Sequence, residues 1–146
     1  MSPLLAALEK LQAVDLELDT LGAHAGDATK KVAEAEAALA KARAAADGER
    51  GKVADAERER TRLEHQLADD KERLKKWDGR IVQAKHQKDF TALQREAEGL
   101  RKSIATVEEA LNAQKKSVED SRVALKTRDA DVTARELLAG IARKCF

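Results

Sequence analysis

Residues 32–81 read VAEAEAALAKARAAADGERGKVADAERERTRLEHQLADDKERLKKWDGRI. Every seventh residue from Val32 gives Val32, Leu39, Ala46, Val53, Arg60, Leu67, Leu74 and Ile81, apolar at all but Arg60. Three positions further on lie Ala35, Ala42, Glu49, Ala56, Leu63, Asp70 and Trp77, apolar at all but the two acidic residues. Apolar residues recurring at these two heptad positions form the seam of a coiled coil, because slight underwinding of the helix keeps such a seam facing its partner. The pattern lasts far longer than the three or four heptads that identify it. Gly48 and Gly51 interrupt it mildly, at a place where a helix can bend.

A second seam begins at Phe90 and runs through Ala97, Ile104, Leu111, Val118, Leu125, Val132 and Ala139, all apolar. Its companions are Leu93, Leu100, Val107, Gln114, Ser121, Arg128, Arg135 and Ala142, apolar near the start and polar further along. Between the seams come Asp78-Gly79, a turn pair, and Asp89, a candidate N-cap, so the reversal is expected within 78–89. Two seams of similar length bury each other if the chain folds back. The expected fold is therefore all-α: a long antiparallel coiled-coil hairpin over 27–146, with arms of ~75–80 Å at 1.5 Å per residue. Two registers match its layers. One centres the turn near Gln87 and sets Trp77 against Ala97, Leu74 against Leu100, Leu63 against Leu111 and Arg60 against Gln114. The other centres it between Gln83 and Ala84, stacking Trp77 on Phe90 and Leu74 on Leu93.

Ahead of the hairpin, Ser2 can cap a helix and Pro3 suits its first turn, where a missing N–H costs nothing. Leu4, Leu8, Leu11, Leu18 and Leu21 follow at helical spacing. Gly22 and Gly26 then weaken any helix, and Asp27 can cap the next one. Residues 1–26 are thus expected to form a separate short N-terminal helix and loop, the helix covering roughly residues 3–21.

Composition agrees with this architecture and excludes several others. Of 146 residues, 29 are alanine, 38% are charged and only 2% aromatic, with a single proline. Such a bias belongs to long helices, which spread apolar residues along a seam and enclose no deep catalytic pocket. His24, His65 and His86 are scattered, and neither a metal-sharing pair nor a nucleophile–base pair can be placed on facing surfaces. Carboxylates on solvated helix faces keep near-ordinary acidity and make poor catalysts. The reading is therefore not an enzyme, with no cofactor and no metal site. Cys145, the only cysteine, supports neither an intramolecular disulfide nor a zinc site by itself. No run of 18 apolar residues spans a membrane, and the N-terminus lacks a signal-peptide pattern, so the expected compartment is the cytoplasm.

The stretch Arg80–Asn112, RIVQAKHQKDFTALQREAEGLRKSIATVEEALN, resembles the turn of bacterial coiled-coil proteins that end in a four-cysteine zinc ribbon. Lys88, Asp89, Phe90, Leu93 and Glu96 occupy the family's pattern, with Asp89 in place of Glu. Glu108-Glu109 is similar to its later acidic pair, and Leu11-Gln12-Ala13-Val14-Asp15 to its N-terminal run. The Cys-x-x-Cys pairs of the ribbon are missing from this sequence. The resemblance implies a cytoplasmic adaptor rod whose relatives serve transcription, flagellar or secretion components, and sometimes messenger RNA.

Charge is uneven despite a formal total of +1. Residues 71–102 hold ten basic and five acidic side chains, leaving the remainder of the chain with an acidic excess. Local potential rather than net charge orients a partner. The candidate binding residues at this tip are Arg80, Lys85, His86, Lys88 and Arg95, near Trp77 and Phe90. The same charges also suit a solvated helix surface around a plugged last layer. A protein partner is expected. A nucleic acid bound through the tip is the alternative, of low affinity because no phosphate loop or aromatic platform accompanies the cations. In the outer body, Arg60, Glu49, Asp70, Arg128 and Arg135 occupy seam positions. They either snorkel to water or leave a weak pair open to a third strand: the N-terminal helix, a second copy making a homodimer, or a client protein.

Overall fold

The computed structural model describes residues 2–145. Two helices account for them, α1 (Pro3–Gln83) and α2 (Gln87–Cys145), with no strand among the described residues. The chain is an all-α antiparallel helical hairpin. Ser2 caps α1 as its position suggests: its Oγ accepts from the Leu4 N–H at 3.3 Å, and Pro3 opens the first turn.

The separate N-terminal helix does not exist. α1 is unbroken through Gly22, Gly26 and Asp27, and equally through Gly48 and Gly51. None of these glycines takes a positive φ. A helical glycine costs only about 1 kcal/mol against alanine, and the helix-favouring residues around the pair outweigh that. Phase supplies a second reason: Leu18, Ala25 and Val32 fall seven apart across the glycines, so no reversal is needed to keep one face apolar.

The reversal falls inside the expected 78–89 stretch, beyond Asp78-Gly79. Both of those residues are helical, and only Ala84, Lys85 and His86 link the helices. His86, not Asp89, sits at the start of α2, where its carbonyl accepts from the Phe90 N–H at 3.0 Å. Asp89 lies inside the first turn, a favourable place for an acidic group at the positive end of the helix dipole.

The chain divides into two compact units, one combining residues up to Ala46 with those from Thr127 on, the other comprising Asp47–Lys126. The second unit contains the turn. Leu63, Val107 and Leu111 form its buried cluster, with Leu67 packed against them, and Ala56, Ala97, Ile104 and Val118 are also buried. Along one flank Glu57 meets Arg122 at 2.6 Å, Lys71 meets Glu108 at 3.5 Å and Asp78 meets Arg101 at 3.0 Å. In the first unit Leu39, Ala42, Ala46 and Ala139 are buried, Glu36 pairs with Arg143 at 2.9 Å and Arg43 with Glu136 at 3.3 Å. Within each unit, stepping by whole heptads up one helix steps by the same amount down the other. Every one of these pairs joins residues that follow the seam on the same flank.

Leu63 grouped with Leu111, and Leu67 with Val107, identifies the first of the two registers. Ala97 is fully buried, as the residue opposite the large Trp77 should be. Within the seam, Asp70 is 8% exposed with Arg73 3.9 Å away, and Glu49 lies 3.7 Å from Lys52. Arg60 does not pair with Gln114. It turns along its own helix to Glu64 at 2.9 Å, while the Gln114 amide donates to the Ala56 carbonyl across the interface at 3.0 Å.

Candidate functional site at the hairpin tip

The last turn of α1, the three-residue link and the first two turns of α2 bring Arg80, Lys85 and His86 around one open groove of about 500 Å³. Ala84, Ala92 and Leu93 supply its apolar wall, and Gln83 and Asp89 its remaining polar rim. Asp89 therefore tempers the cationic groove that the sequence suggests. The Arg80 guanidinium lies over the Trp77 ring, 4.9 Å from its centre. A cation at that distance is attracted to the ring face, and the stacking holds Arg80 while leaving it exposed.

Arg95 belongs elsewhere. Together with Arg73, Trp77, Glu96, Gly99, Leu100 and Ser103 it lines a separate hollow of about 310 Å³. Trp77 touches both neighbourhoods, carrying Arg80 over its ring and lining this second hollow. Lys88 lines neither and stands exposed on the first turn of α2. The five candidate residues thus form a groove of three, a free lysine beside it, and an arginine further along the hairpin. The second hollow escaped sequence reading, because Gly99 and Ser103 carry no charge signal. Their small side chains leave it open, and a Cβ added at Gly99 would meet no atom within 4 Å.

Several basic groups further along the hairpin are paired. Lys71, Arg101 and Arg122 are held by carboxylates of the opposite helix, and Arg62 by Glu59 on its own, at 2.6 and 3.0 Å. Lys85, His86, Lys88 and Arg95 make no ion pair among the described residues, and all four are exposed. The Arg62 hydrogen bonds hold the Glu59 carboxyl below its usual range, and Glu59 in turn raises Arg62.

No group of three or more His, Cys, Asp or Glu side chains able to hold a metal occurs among the described residues. With Cys145 as the single cysteine, these residues cannot supply the four thiolates of a zinc ribbon. No described helix is long and apolar enough to cross a membrane. Comparison with known proteins finds no matching family model, no matching curated protein and no matching solved structure.

Proposed function

We propose that this chain is a non-enzymatic coiled-coil scaffold that binds another protein in the cytoplasm through the hairpin tip. The observation that carries this reading is the set of unpaired, exposed cations at the turn. Arg43, Arg122 and Arg143 in the arms are held by carboxylates of the opposite helix, whereas Lys85, His86 and Lys88 stand exposed together at the turn without an ion pair among the described residues. A three-residue turn needs no particular charge to close. Cations left free around an apolar wall suit an acidic protein surface carrying one or two apolar side chains, with charge steering the encounter and apolar contact supplying affinity. The turn's resemblance to the zinc-ribbon coiled-coil family supports an adaptor role, with a transcription, secretion or flagellar component as client.

The test replaces Arg80, Lys85, His86 and Lys88 together with Gln or Ser. Helicity and melting should stay nearly unchanged, since exposed charges contribute less than ~1 kcal/mol each. Partner capture, read by photocrosslinking from position 83 on the groove rim, should fall about tenfold or more, equivalent to ~1.4 kcal/mol. Unchanged capture would reject the tip as the binding surface. Capture that disappears on nuclease treatment, or falls steeply with salt, would assign the tip to a nucleic acid instead.

A further inference from the structure

The first 25 residues of α1 carry an apolar face that α2 does not cover. Its heptad frame is that of the hairpin seam itself: Leu4, Leu11, Leu18 and Ala25 lead into Val32, and Ala7, Val14, Leu21 and Ala28 lead into Ala35. From Ala28 onward this face becomes half-buried and then buried against α2. Before it, Leu4, Leu11, Val14, Leu18 and Leu21 are 51–71% exposed. A contiguous leucine face of this kind marks an interaction surface.

We propose that residues 3–27 are a self-association element in which two copies pair antiparallel. Leu4 packs on the second copy's Leu21, Ala7 on its Leu18, and Leu11 on its Val14, each contact occurring twice about a two-fold axis. Three observations select this occupant. First, a second α1 entering antiparallel runs in the same direction as α2, so the seam continues without a change of phase. Second, among the described residues this face stays exposed through Asp27, which leaves room for the whole Leu4–Leu21 overlap. Third, the flank that carries Lys10 and Glu17 becomes self-complementary, with Lys10 of each copy beside Glu17 of the other. A parallel pair would not do this, and its two α1 helices would have to part where each meets its own α2. On the opposite flank Asp15 faces its own counterpart, a repulsion that weakens the pairing.

Sedimentation of the full chain under reducing conditions, which removes any disulfide through the exposed Cys145, should show a reversible dimer at micromolar concentration. Leu11→Glu should leave a monomer that is still fully helical and melts as the wild type does at high dilution, since Leu11 is exposed and unburied by α2. Lys10→Glu should weaken the dimer about tenfold, and Lys10→Glu with Glu17→Lys should restore it. Asp15→Asn should tighten it. A monomer at every concentration, a dimer indifferent to Leu11→Glu, or a charge swap that fails to rescue would each overturn the proposal. The first of these outcomes would leave the face to a different protein. The tip variant above should dimerise normally, which separates this surface from the proposed scaffold function.

Discussion

Burial at single seam residues decides what each contributes. Leu111 is buried within the Leu63–Val107 cluster, whereas Leu67 is only partly covered. Leu111→Ala should therefore destabilise the hairpin by ~2–4 kcal/mol and Leu67→Ala by visibly less, both read from urea unfolding. Ala97 has no exposed surface, so Ala97→Leu overfills its layer against Trp77 and should cost ~1–3 kcal/mol. Both effects depend on burial that a heptad count cannot grade. Glu59 offers a test with a defined sign. Its folded pKa is depressed by Arg62, so its small contribution is present above the ordinary carboxylate range and lost as pH falls through the folded value. Arg62→Gln should return Glu59 to the ordinary range in an NMR titration.

Helices carry the next set of consequences. Gly48 and Gly51 sit in α1 with helical backbone, and an added Cβ at either meets nothing within 4 Å. Gly48→Ala and Gly51→Ala should each stabilise the helix by about 0.5–1 kcal/mol, raising the melting temperature. The sequence made these glycines look like interruptions, and Gly22 and Gly26 like a boundary. Propensity is a weak local term, whereas the seam phase preserved across each pair bears on the whole helix. That phase was legible in Leu18, Ala25 and Val32, and it outranks the glycine signal. The turn was legible as a stretch, 78–89, but not to the residue. Asp78-Gly79 is a good turn pair, yet a helix can hold it, and α1 continues until Ile81 completes the seam. The flanking ion pairs hold the helices in register. Reversing Glu57→Arg or Arg122→Glu alone should lower stability by less than ~1 kcal/mol, and the double reversal should recover it in a double-mutant cycle.

At the scale of the whole molecule, association and stability are linked. If the Leu4–Leu21 face pairs two copies, the melting temperature should rise with protein concentration in the wild type and be independent of it in Leu11→Glu, as calorimetry would show. The residues also divide by how far sequence alone could take them. Period and phase are local properties of the chain. The repeats from Val32 and from Phe90 therefore determine two long helices, their buried faces and their antiparallel return. The concentration of basic residues around the turn is likewise visible without a fold. Register is different. A seam of repeating apolar layers remains apolar when one helix slides along the other, so periodicity cannot choose between alignments. The choice falls to the packing of Leu63 with Leu111, to ion pairs such as Glu57–Arg122 and Glu36–Arg143, and to a link of three residues. The same tertiary facts decide that Arg80, Lys85 and His86 share a groove while Arg95 lies apart. They also decide which residues of α1 face α2, with Ala28 the first half-buried seam position and Leu39 buried, because burial depends on the alignment of two helices and not on either one's repeat.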